Sequence, residues 1–143
     1  MKTRKGFTLI ELLVVIAVIG ILAGIVLVSV RQAPGKAKDT RIKSAITQVR
    51  DIAQLLYIDN NSYETVCNGT ALGTSTDLAT LAQDITDNGG SVTCYASASA
   101  YCVYATLNTD ATKTFCVDSA GVAKEYSTTS DCTGTTDFTC ESD

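Results

Sequence analysis

The 24 residues from Phe7 to Val30 carry a single charged side chain, Glu11. As a helix rising about 1.5 Å per residue they reach roughly 36 Å, enough to cross a hydrocarbon layer about 30 Å thick. Lys2, Arg4 and Lys5 precede the run, with no acid among them. A carboxylate inside a membrane span is costly, and such residues usually face a protein partner rather than lipid. The rest of the chain reads as cargo for this helix.

The stretch Lys5-Gly6-Phe7-Thr8-Leu9-Ile10-Glu11-Leu12-Leu13-Val14-Val15 joins a short basic leader ending in Gly6 to an unbroken apolar segment. It resembles the signature of type IV prepilins, a family that includes pilins and the pseudopilins of type II secretion. The likeness covers roughly residues 1–60 and is most specific from Lys5 to Val15. It implies a prepilin peptidase that cuts between Gly6 and Phe7 and methylates the new amino group of Phe7. It implies a single-pass protein of the inner (cytoplasmic) membrane, its C-terminal domain outside and lipid around its span. An inner-membrane assembly platform then extracts it into an extracellular or periplasmic filament, a homopolymer or one shared with other pilins. Many pilins have a proline within the span; here Val28 and its neighbours stand there.

The chemistry of these residues suits that pathway. Gly6 has no side chain, so the backbone can enter a protease cleft in extended form at little steric cost. Glu11 lies four residues beyond Phe7, one turn along the same helix face. As the family implies, its carboxylate pairs with an amino terminus, its own or a neighbour's, and sets the register of assembly. The plainer alternative is a carboxylate snorkelling at the headgroups. A secretory signal is disfavoured by the length of the run and the lack of an Ala-x-Ala site before Arg31. A plain single-pass anchor is the other alternative. A count of basic flanks does not settle orientation, because Arg31, Lys36, Lys38, Arg41 and Lys43 outnumber the leader charges.

Charge is unevenly spread. Residues 31–50 hold six Lys or Arg and one Asp, a net of +5; residues 51–143 hold two Lys and 13 acids, a net of −11. An acidic, Ser/Thr-rich surface suits solubility outside a cell and argues against nucleic acid as a partner. The chain has no His, which removes the commonest general base and metal ligand. No nucleophile–base pattern stands out, so the chain reads as a structural protein rather than an enzyme, with no cofactor.

All six cysteines follow residue 66: Cys67, Cys94, Cys102, Cys116, Cys132 and Cys140. An even number in a small domain reads as a disulfide set made in an oxidising compartment. Six allow 15 pairings. Locality suggests Cys67–Cys94, Cys102–Cys116 across a hairpin and Cys132–Cys140 at the end. No CxxC spacing supports zinc.

The chain divides into a leader over 1–6, a span over 7–30, an amphipathic continuation over 31–58 and a disulfide-containing globular domain over 59–143. Ile42, Ala45, Ile46, Val49, Ile52, Ala53, Leu56 and Tyr57 recur every three or four residues, so one helix from about Phe7 to Ile58 is expected. Pro34-Gly35 is expected to bend or break it. Gly20 and Gly24 form a GxxxG pair, compatible with close packing or with plain tolerance of glycine.

Asp59-Asn60-Asn61-Ser62 ends the helix, and residues 64–91 read as irregular around a short helix from Thr76 to Ile85 capped by Asp77 or Thr76. Strands are expected at Ser91–Ala96, Ala100–Leu107, Thr114–Asp118 and Val122–Tyr126, forming an antiparallel meander packed on the amphipathic helix. The fold class is α+β.

The remaining motifs carry less. Asp131, Asp137, Glu141 and Asp143 lack the ordered spacing of a calcium loop. Asn60-Asn61-Ser62 and Asn68-Gly69-Thr70 match a glycosylation sequon, as short polar loops do by chance. Of Tyr95, Tyr101 and Tyr104, strand alternation sends at least one inward. Lys113 and Lys124 are too few for a nucleic-acid patch. Within the resembled family the alternatives to a filament subunit are a pseudopilin and a minor tip pilin acting as an adhesive or ligand-binding module.

Overall fold

The computed structural model describes residues 6–127, 132–134 and 137–140, with backbone only at 27–32. The order of elements is α1 (Leu9–Asn60), a 3₁₀ turn (Glu64–Val66), β1 (Cys67–Asn68), β2 (Ala71–Leu72), α2 (Thr76–Asp87), β3 (Val92–Ala96), β4 (Tyr101–Thr106), β5 (Thr114–Asp118) and β6 (Ala123–Tyr126). The fold is α+β, with two compact units, Met1–Pro34 and Gly35–Asp143.

The first unit is helix from Leu9 onward, and its large apolar side chains from Phe7 to Val26 are all exposed. Residues Leu9–Val26 have the length and composition to cross a membrane. Helix α1 contains Pro34 and is not broken there, which corrects the break that Pro34-Gly35 offered as one outcome.

In the second unit the expected periodicity of α1 is realised: Ile42, Ala45, Ile46, Val49 and Ala53 are fully buried against the sheet, with Ile52, Leu56 and Tyr57 beside them. The helix ends where turn formers begin. Asn61 takes a left-handed conformation at φ 52° and donates its N–H to the Tyr57 carbonyl at 2.8 Å, closing the last turn.

Helix α2 is capped by Ser75, whose hydroxyl accepts the Leu78 N–H at 3.4 Å, not by Asp77 or Thr76. Its Leu78 and Ile85 are buried, and Leu81 and Ala82 partly so. It closes with Gly89 at φ 84°, whose N–H reaches the Thr86 carbonyl while the Gly90 N–H reaches that of Ile85. That double closure needs a left-handed residue, which is why glycine stands at 89.

Strands β3 to β6 form an antiparallel meander in sequence order, joined by connections of four, seven and four residues. Alternation splits its side chains between two faces. Cys94, Tyr101, Val103, Ala105 and Val117 enter the core beneath α1 and α2. Cys102, Cys116 and Tyr126, flanked by Tyr95 and Tyr104, face the other side and are covered by Cys132, Phe138 and Cys140. Tyr101 is thus the tyrosine sent inward, its ring tilted against Tyr63 at 4.9 Å between centroids, while Tyr63 stacks on Tyr57 at 4.5 Å. The two-stranded pair β1–β2 went unread in the sequence; it puts Cys67 beside the β3 edge.

The disulfides join Cys67–Cys94, Cys102–Cys132 and Cys116–Cys140, with Cα separations of 5.6, 5.9 and 5.7 Å. The first matches the locality argument; the pairings Cys102–Cys116 and Cys132–Cys140 are corrected. In the β4–β5 ladder Cys102 lies opposite Asp118, and Cys116 opposite Tyr104. The two cysteines are therefore diagonal on one face, a separation of about 7–8 Å that a disulfide does not span. Each instead takes a partner from the C-terminal segment, which is riveted across the sheet at two points.

Candidate assembly and processing site

The start of α1 is built by its own sequence. Thr8 is the residue before the first helical position, and Glu11 is the third residue of the helix. The Thr8 N–H and hydroxyl both donate to Glu11 Oε2, at 2.8 and 2.7 Å, and the Glu11 N–H donates weakly to Thr8 Oγ1 at 3.4 Å. This is a capping box, the reciprocal arrangement of a Thr-x-x-Glu start. The signal stands in the sequence as Thr8-Leu9-Ile10-Glu11 ahead of an apolar run, and the sequence reading missed it. It gives Glu11 a partner within the subunit that had been assigned only to an amino terminus.

Gly6 and Phe7 precede the cap in non-helical conformation, both exposed, Phe7 at 79%. A Cβ added at Gly6 would meet nothing within 4 Å, so the glycine is not required by its own fold. Phe7, Ile10, Glu11, Val14 and Val15 line one shallow, mostly apolar groove. Phe7 and Glu11 therefore do share a face, as their spacing requires. The leader residues Lys2, Arg4 and Lys5 lie outside the described residues.

Elsewhere the structure places side chains whose work is positional. Asp39, in α1, is buried and accepts the Asn108 N–H at 2.7 Å, the Thr109 N–H at 3.1 Å and the Thr109 hydroxyl. Burial opposes its ionisation, but the Thr109 and Asn108 donors together with Lys43 nearby outweigh that and hold its carboxyl below the usual range. Glu125 on β6 receives Lys43 of α1 at 2.6 Å and Lys113 at 3.1 Å; these two partners, Lys43 first, hold it below the usual range too. Asp118 is buried at the end of β5 and accepts N–H groups from Val122 and Cys140.

Of the acidic residues weighed for calcium, Asp131, Glu141 and Asp143 lie outside the described residues. Asp137 spends one oxygen on the N–H and hydroxyl of Thr139, at 2.9 and 2.7 Å. Among the described residues no group of three acids, histidines or cysteines could hold a metal ion.

Residues 1–27 match the family model described as the prokaryotic N-terminal methylation motif. The chain is 35% identical to the type IV wide pilus major component of Thermus thermophilus over 108 residues, which are 73% of this chain and 75% of that one. It belongs to the type IV pilin family. A fimbrial protein of Pseudomonas aeruginosa is 32% identical over 90 residues, 63% of this chain and 57% of that one. The type II secretion system core protein G of Pseudomonas aeruginosa is 35% identical over 68 residues, 48% of each chain. Comparison with solved structures found no match. These pilin-family relatives are structural proteins, and the family accounts for the apolar helix of the first unit as a membrane anchor and filament element.

Proposed function

We propose that this chain is a structural subunit of a type IV pilus-like filament. The observation that carries the reading is the exposed apolar helix of Leu9–Val26, introduced by the Gly6–Phe7 junction and bearing one acid, Glu11. Among the described residues the large apolar side chains of that helix are all exposed, a surface for a bilayer to cover before assembly and neighbouring helices afterwards. The processing chemistry is cleavage of the Gly6–Phe7 peptide bond by a prepilin peptidase, followed by methylation of the Phe7 amino group. In the filament Glu11 exchanges its Thr8 donors for the Phe7 amino group of a neighbour. An inner-membrane platform extracts the subunit, whose disulfide-bonded unit lies outside the cell membrane. The role is non-enzymatic.

A type II secretion pseudopilin is the second reading, supported by the likeness to core protein G. That likeness spans 68 residues, whereas the likeness to a pilus major component spans 108 and so covers more of the second unit. The test is intact mass and N-terminal sequencing of the protein from membranes of a host with its own processing peptidase. A chain beginning at N-methylated Phe7 is expected. An uncut Met1 start would overturn the pathway in favour of a plain anchor, and a cut near Arg31 in favour of a secreted domain.

A further inference from the structure

Residues just beyond the span carry a concentration of positive charge that the filament role leaves unused. Lys36, Lys38 and Arg41 are exposed, and they follow Val30 by only 6 to 11 residues, so the chain itself keeps them near whatever surface the span enters. The one acid among residues 31–50, Asp39, points the other way: it is buried and spent on Asn108 and Thr109. The charge that residues 36–41 show to solvent is therefore wholly cationic. Among the described residues Lys36 and Lys38 have no ion-pair partner, and Arg41 has only a long contact of 3.7 Å to Asp84. Lys43, in contrast, is already engaged by Glu125.

The directions of these side chains distinguish a partner surface from a membrane. At about 100° per residue, Lys38 and Arg41 lie roughly 200° and 140° around the helix from Lys36. They span about 200° of the helix, a partial collar whose remaining arc is taken by buried Asp39 and Ile42. A narrow stripe would suit one neighbouring subunit, whereas so wide an arc suits a layer of charge that meets the helix from several sides. Residues 51–143, at −11, are repelled by an anionic surface, so the collar is the part of the exported unit that such a surface would tolerate.

We propose that Lys36, Lys38 and Arg41 form a binding collar for anionic phospholipid headgroups, holding the subunit at the membrane before assembly. The proposal rests on the membrane-anchored reading above. Cations beside an anionic bilayer gain affinity that salt weakens. Held by several headgroups, the collar would fix how deeply the span sits and would have to be released when the subunit leaves for a filament.

The test is amine labelling of the full chain reconstituted in vesicles of phosphatidylcholine alone or phosphatidylcholine with phosphatidylglycerol, read lysine by lysine by mass spectrometry. Lys36 and Lys38 should be modified about fivefold more slowly with phosphatidylglycerol present, and high salt should abolish the difference. Exposed Lys124, remote in sequence from the span, serves as the internal reference and should not change. Equal labelling in both vesicles would overturn the proposal. So would protection that follows protein density rather than phosphatidylglycerol content, which would assign the collar to the acidic surface of a second copy. Failure of the chain to float with either vesicle would instead overturn the membrane-anchored reading itself.

Discussion

The buried carboxylate of Asp118 accepts the backbone N–H of Cys140 at 2.8 Å, while its other oxygen accepts that of Val122 at 2.9 Å. One side chain thus closes the β5–β6 turn and positions the cysteine that rivets the C-terminal segment. Replacing Asp118 with Ala leaves two inward-facing N–H groups without their acceptor, which costs about 2–3 kcal/mol. Denaturant unfolding of the purified chain, followed by the midpoint at unchanged slope, measures it. A loss within the error of the wild-type midpoint would show that water replaces the carboxylate at no cost.

Non-reducing peptide mapping should recover Cys67–Cys94, Cys102–Cys132 and Cys116–Cys140 with no free thiol. The loops they close span 24 to 30 residues, so by chain entropy each bridge contributes about 3.5 kcal/mol. Ser at both Cys116 and Cys140 should lower stability by up to that amount. It should also open the C-terminal segment to protease, as limited proteolysis would reveal.

Gly134 has φ 74°, and a Cβ there would overlap the ring of Tyr95. Gly134→Ala therefore combines backbone strain with a clash, for a loss of about 1–3 kcal/mol. Truncating the ring at the same time, as Gly134→Ala with Tyr95→Ala, removes the ring overlap but keeps the close approach to the Tyr95 Cβ and the backbone strain, so a double-mutant cycle in thermal unfolding isolates the ring's share of the loss.

Acid should loosen the second unit in a defined window. Asp39 and Glu125 both have folded-state values below their ordinary 3.8 and 4.5. The unfolded chain binds protons more readily, so their stabilisation is fully present above those ordinary values. It is lost as pH falls through the lower folded ones. Melting temperature should be flat near neutrality and decline from about pH 5 downward. Asp39→Asn should be less stable at neutral pH and show a shallower decline. A parallel curve would remove Asp39 from the explanation.

Glu11→Ala should leave processing intact and reduce fibre yield, because it spares the proposed Gly6–Phe7 cleavage point and removes the proposed pairing of Glu11 with an amino terminus. Intact mass reports processing, and electron microscopy of sheared fibres reports assembly. Normal fibre yield would remove Glu11 from the assembly mechanism.

Periodicity and turn chemistry made most of this fold legible. The face of α1 from Ile42 to Tyr57, the four strands and the Asn61 terminus all follow from local patterns with local causes. What escaped the reading depends on contacts remote in sequence. The pairing of Cys102 with Cys132 is decided by register, which places Cys102 opposite Asp118 rather than Cys116. Asp39 looks like one more acid on a helix until the Asn108-Thr109 turn, about 70 residues away, supplies its donors. The helix persists through Pro34 although proline alone argues against it. The Thr8–Glu11 box is legible as a Thr-x-x-Glu start, but the same acid reads equally as a lone charge in a membrane span, and the pattern does not choose between the two.

That box bears on maturation. Every residue that starts α1, from the cap at Thr8 to the acid at Glu11, lies downstream of the Gly6–Phe7 bond. A cut there, as proposed, would remove the three cations Lys2, Arg4 and Lys5 and expose the amino group of Phe7 while leaving Thr8 and Glu11 in the chain. On the proposed pathway, processing at this junction would change the charge next to a helix start whose own capping residues stay in place, so that only the electrostatic address of the subunit is new.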